Sequence, residues 1–131
     1  MSFLFINITG PWAYKLLKDS NIDSDYELDL VRGTHIIINR KLDYGYFLEV
    51  PAEKRIFFVL PYKGQTLIGT TEVRQRISDE IKPSQSEILD LMRAYNHYFI
   101  DSISKEDVVN SCAGVRPLVK SSEDTNKSSR D

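Results

Sequence analysis

Hydrophobic and polar residues alternate along several short stretches of this chain. The strongest predicted strand is Val31–Asn39, in which successive side chains point to opposite faces. The alternation predicts that His35 and Ile37 share one face of this strand and that Ile36 and Ile38 share the other.

Three further apolar runs follow at the spacing of hairpins. Gly45–Val50 and Arg55–Leu60 flank Pro51–Lys54, a loop of about four residues. The turn Pro61–Gln65 then leads into a predicted strand, Thr66–Thr71. Because short links join these runs, antiparallel pairing is the simplest topology.

A helix is predicted after Pro83. Ser84 and Glu87 form a capping-box pattern, and apolar residues then recur at helical spacing and predict one buried stripe. The stripe consists of Ile88, Leu91, Met92, Tyr95 and Phe99. A short turn at Ser104–Asp107 precedes a last strand, Val108–Leu118. Together these elements predict an α+β fold, a mainly antiparallel sheet with one long helix packed on it.

The first twenty residues follow another pattern. The apolar run Phe3–Ile8 predicts a buried strand, Thr9–Trp12 a turn and Ala13–Lys18 a short helix. Strand, glycine turn and helix in this order are typical of an α/β sheet. The pattern shows no internal linker, and residues 120–131 are polar and predict a loop or a tail.

Composition and charge narrow the function classes. The length of 131 residues suits one domain, and Lys+Arg 17 against Asp+Glu 19 gives a net charge of −2, without the basic surface that nucleic acid requires. No apolar run approaches the roughly 20 residues of a membrane helix. The single Cys112 cannot form an internal disulfide. These features predict a soluble, cytoplasmic module.

The absence of certain motifs excludes several kinds of site. The sequence contains neither Gly-x-Gly-x-x-Gly nor a P-loop, so no pyrophosphate or triphosphate cradle is predicted. His35 and His97 are far apart and Cys112 has no partner at ligand spacing, so we expect no metal site.

His35 is the first candidate for chemistry. A near-neutral imidazole suits proton transfer at physiological pH. The alternative is a core histidine that hydrogen-bonds to a backbone carbonyl, which is the commoner situation. His97 lies among aromatic residues of the predicted helix and is interpreted as structural.

Two strand segments supply further candidates. Ser111–Gly114 is a run of small residues that permits close approach, and Arg116 after it suits bidentate contact with phosphate or carboxylate. The alternative for Arg116 is an exposed arginine that pairs with a surface carboxylate. In Gly69–Thr71, the glycine again indicates close approach and the hydroxyls can hydrogen-bond, although threonine is common in strands for other reasons.

Taken in order, five motifs of this chain resemble those of the FAD-dependent glycerol-3-phosphate dehydrogenases. The motifs are Ile6–Trp12, Arg32–Ile37, Ile68–Glu72, Gly114–Leu118 and Arg130–Asp131. They span essentially the whole chain at about the family's spacing. The chain departs from the family at Ile8, where alanine is usual, and at Glu72, where aspartate is usual.

The resemblance implies an activity and a cofactor. Family members oxidise sn-glycerol 3-phosphate to dihydroxyacetone phosphate and pass a hydride to FAD and then electrons to quinone. It also implies that residues 1–20 are an edge piece of the FAD-binding domain and that residues 21–119 form a substrate-binding cap. The complete enzyme is then expected to be peripheral on the inner face of a membrane. The family's Gly-rich turn for the FAD pyrophosphate lies upstream of these motifs. We therefore expect this stretch alone to be inactive and not to hold FAD stably.

Matching motifs imply three groups of site residues. The catalytic group is His35, which resembles the histidine near the substrate hydroxyl and the flavin. The substrate-binding group is Arg116, Arg130, Thr70 and Thr71. The cofactor-binding group is Thr9, Gly10 and Trp12.

Two rival functions remain open. One is a related flavin oxidase of an amine or a 2-hydroxy acid, in which Arg116 holds a carboxylate; preference for a phosphate monoester separates the two. The other is a non-catalytic module that self-associates through an edge strand at Phe3–Ile8. Concentration-dependent dimerisation that a Phe5→Lys change abolishes would support it.

Overall fold

A computed structural model describes residues 3–120 of the chain. The helices are α1 (Ala13–Asp19) and α2 (Gln85–Tyr98), with 3-10 turns at Gly10–Trp12 and Lys105–Asp107. The strands are β1 (Leu28–Ile38), β2 (Tyr46–Glu49), β3 (Ile56–Tyr62), β4 (Gln65–Gly69), β5 (Val73–Arg74) and β6 (Val108–Val119). The predicted α+β fold is confirmed. Within residues 3–120, no helix combines the length and the apolar character needed to cross a bilayer.

The strands pair in the order β2-β3-β4-β1-β5, and β6 also pairs with β1. The β2–β3, β3–β4 and β1–β4 pairs are antiparallel, as predicted. Their registers place Phe47 opposite Phe58, Phe58 opposite Gly69, and Gly69 opposite His35. These residues therefore form one row across four strands, and directly opposite residues share a face of the sheet.

The turn between β3 and β4 is shorter than the sequence pattern predicts. Lys63 and Gly64 both have positive φ, 50° and 78°, which is the backbone of a two-residue type I′ hairpin. The strands run up to this turn, so Pro61 and Gln65 belong to β3 and β4 rather than to a five-residue turn.

Helix α2 covers one face of the sheet and forms the core with it. Both hydrogen bonds of the predicted capping box between Ser84 and Glu87 are present at its start. The predicted apolar stripe is confirmed, because Leu91 and Tyr95 are buried against the sheet. The sheet contributes the fully buried Ile36, Ile38, Phe57, Val59 and Ile68. Each such side chain contributes about 1.5–3 kcal/mol by burial. His35 lies on the face away from this core, as the alternation in β1 predicts.

The described residues divide into two compact units. Residues 3–31, 74–79 and 115–120 form the first, and residues 32–73 and 80–114 form the second. In the first unit, the Gln75 amide donates to the Leu30 carbonyl at 3.0 Å, and Lys120 pairs with Glu27 at 2.6 Å. The domain boundaries at residues 20 and 119 stay a prediction, and residues 121–131 of the predicted tail lie outside the described residues.

The prediction of a buried strand at Phe3–Ile8 is wrong. The segment has no regular secondary structure, and its large apolar side chains are between 68% and 87% exposed. A strand takes its hydrogen bonds from a neighbouring strand, and the described residues offer none to this segment. The turn and helix that follow are confirmed, with Gly10 at φ 57° and Pro11 in the 3-10 turn that leads into α1.

Candidate active site

His35 lies against the backbone of Gly69. A Cβ atom built on Gly69 would lie 2.7 Å from His35 Cγ and 2.9 Å from Nε2, and closer still to Cδ2. The half-buried imidazole therefore covers the α-carbon of Gly69. The close approach predicted at Gly69 is confirmed, and the group that approaches is the candidate catalytic side chain.

Two threonines follow this contact. Strand β4 ends at Gly69, so Thr70 and Thr71 lie beyond the strand that was predicted to contain them. The Gly69–Thr70 peptide is cis. The Thr70 carbonyl accepts a hydrogen bond of 2.7 Å from Nη1 of Arg55, whose side chain is only 17% exposed. Arg55 could not be predicted from the sequence, because nothing in its local pattern points to Thr70.

The Thr71 side chain is directed into a buried hydrogen-bond network. Its hydroxyl donates to Glu87 Oε1 at 2.7 Å and accepts from the Thr34 amide at 2.9 Å. The Thr34 hydroxyl donates to the same carboxylate oxygen at 2.9 Å. Thr34 and Thr71 are buried, so these bonds fasten the segment after Gly69 to β1 from the core side.

Glu87 is the centre of this network. Arg32 Nη2 donates to its Oε2 at 2.7 Å, and Ser84 donates to the same oxygen through its amide at 3.0 Å and its hydroxyl at 2.7 Å. Burial by itself raises the pKa of Glu87, but the hydrogen bonds from Thr71, Ser84 and Arg32 outweigh it and lower the pKa to about 2. The carboxylate stays charged and connects the start of α2 to β1 and to Thr71.

Only part of the role of Glu87 could be predicted from the sequence. Its capping partner Ser84 lies three positions away and forms a recognisable pattern. Its partners Arg32 and Thr34 lie 55 and 53 positions away and carry no signal without the register of the sheet.

The sheet face that bears His35 is open and partly apolar. In the same row as His35, Phe58 and Phe47 are 41% and 64% exposed, and their rings meet edge to face at 5.0 Å. A face of this kind can receive an organic group beside an imidazole that exchanges a proton.

The first unit contains the candidate cofactor-binding residues. Thr9 donates to Asn7 Oδ1 through its hydroxyl at 2.7 Å and its amide at 3.2 Å, and Asn7 Nδ2 donates to the Ala13 carbonyl at 3.0 Å. A Cβ built on Gly10 would meet no atom of the described chain within 4 Å, and Trp12 is 47% exposed. Asn7 thus holds a turn that leaves the Gly10 backbone and the Trp12 ring accessible.

The remaining predicted residues are placed as follows. Arg116 is half-buried in β6 and belongs to the first unit, whereas His35, Thr70 and Thr71 lie together in the second. Arg130 lies outside the described residues. The close approach predicted around Gly114 is not found, since a Cβ there would meet no described atom within 4 Å. Residues 3–120 contain no group of three or more His, Cys, Asp or Glu side chains that could hold a metal ion.

Comparison with known proteins identifies the family. The profile of the FAD dependent oxidoreductase family matches residues 3–127. The aerobic glycerol-3-phosphate dehydrogenase of Escherichia coli K12 is 34% identical over 125 residues, which cover 92% of this chain and 25% of that protein. The D-erythritol 1-phosphate dehydrogenase of Brucella abortus is 33% identical over 117 residues, covering 86% of this chain and 23% of that protein.

A solved structure agrees with these similarities. The glycerol-3-phosphate dehydrogenase of Bacillus halodurans, complexed with FAD, superposes with a TM-score of 0.79 at 26% identity, over 85% of this chain and 23% of that one. The resemblance inferred from the motifs is confirmed. The chain spans about a quarter of the length of these relatives.

Proposed function

Because the chain belongs to the family of FAD dependent oxidoreductases, we propose that it supplies the substrate-binding cap of a flavoenzyme that oxidises sn-glycerol 3-phosphate to dihydroxyacetone phosphate. The observation that carries the proposal is the His35 imidazole, held against Gly69 on the open face of the sheet. The 34% identity to an aerobic glycerol-3-phosphate dehydrogenase supports the choice of substrate.

Oxidation of a secondary alcohol removes a hydride from carbon and a proton from oxygen. His35 is the group that takes up the hydroxyl proton on an imidazole nitrogen. Thr70, which follows Gly69 in the same unit, orients the substrate. Thr71 was expected to bind substrate as well, but its buried hydroxyl is bonded to Glu87, so its role is to hold Thr70 in place. Arg116 and Arg130 bind the phosphate, because a guanidinium forms paired, charge-assisted hydrogen bonds with phosphate oxygens.

FAD, when bound, supplies the hydride acceptor. Thr9, Gly10 and Trp12 fit a contact with part of this cofactor, because the turn leaves the Gly10 backbone open and the Trp12 ring half exposed. By the same resemblance we assign residues 1–20 to the edge of the FAD domain and residues 21–119 to the cap. We also propose that quinone is the electron acceptor of the complete enzyme. The complete enzyme is cytoplasmic and peripheral on the inner face of a membrane in this proposal.

A second candidate substrate is D-erythritol 1-phosphate. The 33% identity to the Brucella abortus dehydrogenase favours it, and it differs from glycerol 3-phosphate by one CHOH group. Both substrates are phosphate monoesters of a polyol, so both require a cationic phosphate site. Amine and 2-hydroxy-acid substrates, which carry a carboxylate instead, are the rival class.

Replacing Arg116 tests the phosphate site. We expect calorimetric titration of the 131-residue chain to show tighter binding of sn-glycerol 3-phosphate than of lactate or glycine. Arg116→Met is expected to weaken binding of the phosphate ester about 10- to 100-fold, because a hydrogen bond to a charged group contributes about 1.5–3 kcal/mol.

The matched control for Arg116 is Arg93→Met. Arg93 is 78% exposed on α2 and pairs with Asp90 at 3.1 Å, so its loss should leave the affinity unchanged. Equal affinity for the carboxylates, or an equal effect of Arg93→Met and Arg116→Met, would contradict the proposal. Titration with D-erythritol 1-phosphate in the same series decides between the two polyol phosphates.

A further inference from the structure

We infer that Gly69 is a positioning residue for His35. Because Gly69 has no side chain, the imidazole lies in the space that a side chain at this strand position would occupy. The inference rests on the proposed function, in which His35 takes up the substrate proton. It adds that the direction in which the imidazole faces is set by a residue on the neighbouring strand.

The geometry of the contact shows which side of the ring faces Gly69. The three His35 atoms nearest to a Cβ built on Gly69 are Cδ2, Cγ and Nε2. Atoms Nδ1 and Cε1 are therefore farther from Gly69 than the Cγ–Cδ2–Nε2 side of the ring. A side chain at residue 69 would occupy the volume that this side of the ring now fills, since real Cβ atoms do not approach other atoms so closely.

The φ angle at Gly69 supplies no other reason for glycine. Among the described glycines, Gly10 and Gly64 have positive φ, a conformation that favours glycine over other residues, and Gly69 is not one of them. Within β4 a side chain at residue 69 would stand on the open face, in the row that contains Phe58 on one side and His35 on the other. The imidazole takes that place.

The backbone at Gly69 cannot easily move away from the imidazole. Arg55 holds the Thr70 carbonyl at 2.7 Å, and the Thr71 hydroxyl is bonded to the buried Glu87 at 2.7 Å. Both bonds hold the backbone immediately after Gly69. An added methyl group at residue 69 must therefore displace the imidazole rather than the strand.

Nuclear magnetic resonance of the His35 ring tests the inference on the 131-residue chain. In Gly69→Ala we expect the Cε1–H resonance of His35 to shift and its titration midpoint to change. The matched control is Gly114→Ala, because Gly114 lies in a strand and its added Cβ meets no described atom within 4 Å. An unchanged His35 resonance and titration in Gly69→Ala would overturn the inference.

A double-mutant cycle gives a second, independent measurement. With His35 present, Gly69→Ala should raise the equilibrium constant of unfolding about tenfold or more, because overpacking is costly. With His35→Ala, the methyl group has room, and the same change should raise the constant less than about threefold. An equal cost in both backgrounds would overturn the inference.

Failure of the single variant to fold is also informative. If Gly69→Ala does not fold but Gly69→Ala combined with His35→Ala does, the ring is the obstacle, as inferred. If neither folds, the ring is not the reason for glycine and the inference is overturned. No substrate is used in either measurement, so a failure to bind glycerol 3-phosphate would contradict the proposed function alone.

Discussion

Replacing Glu87 by alanine is expected to destabilise the chain by about 3–5 kcal/mol, the cost of breaking a buried ion pair by removing one partner. Thr34, Thr71 and Ser84 would each lose the acceptor of a hydrogen bond of 2.7–2.9 Å. Arg32 would lose its ion pair at 2.7 Å. Urea unfolding at pH 7 measures the change in the free energy of unfolding.

The pH dependence of stability gives the same prediction a second readout. The folded pKa of Glu87 lies at about 2, below its ordinary value of 4.5, so its contribution is complete above pH 5 and is lost as the pH falls towards 2. A shift of this size corresponds to about 3 kcal/mol. Glu87→Gln removes the titrating group, and we expect its stability to depend less on pH in this range.

Glu80→Gln is the matched control for Glu87. The Glu80 side chain is 71% exposed and pairs with Lys82 at the surface, where an ion pair contributes at most about 1 kcal/mol. An acid-range loss of stability that is as large in Glu87→Gln as in the parent would contradict the role of Glu87 as the charged centre of the network. Equal destabilisation by Glu87→Gln and Glu80→Gln would contradict it as well.

Replacing His35 by glutamine is expected to lower the rate of glycerol 3-phosphate oxidation by about 10²–10⁴-fold, the usual contribution of a general base. Glutamine retains a hydrogen-bonding side chain of similar length but cannot take up the proton. The measurement uses a hybrid enzyme, the Escherichia coli aerobic glycerol-3-phosphate dehydrogenase with its matching 125 residues replaced by this chain. Flavin absorbance verifies that each variant carries the same amount of FAD.

The second histidine of the chain provides the control for His35. His97 lies in α2 with its ring edge to face on Tyr98 at 4.8 Å, and the proposal gives it no role in proton transfer. His97→Gln should therefore retain the rate of the hybrid. Full activity in His35→Gln, or an equal loss in His97→Gln, would contradict the role assigned to His35.

Local patterns predicted those parts of the fold that depend on neighbours in sequence. The capping box of Ser84 and Glu87 lies within one helical turn, so both the start of α2 and its buried stripe could be predicted. The alternation in β1 likewise placed Ile36 in the core and His35 on the opposite face.

Features that depend on distant partners could not be predicted in this way. The apolar run Phe3–Ile8 has the composition of a strand, but composition does not supply the neighbouring strand that a ladder requires. Gly69 indicated a close approach, yet only the β1–β4 register shows that His35 is the group that approaches. The hydrogen bond from Arg55 to the Thr70 carbonyl likewise becomes visible only in the tertiary structure.

The proposed function requires that a polyol phosphate binds at His35, on the open face of the sheet, and at Thr70. The most direct measurement is a nuclear magnetic resonance titration of the 131-residue chain with sn-glycerol 3-phosphate, with glycerol and inorganic phosphate as matched ligands. We expect saturable shifts of the His35 ring and the Thr70 amide with the phosphate ester, and much smaller shifts with either part alone. Saturable binding that leaves His35 and Thr70 unchanged, or the absence of binding at millimolar ester, would contradict it.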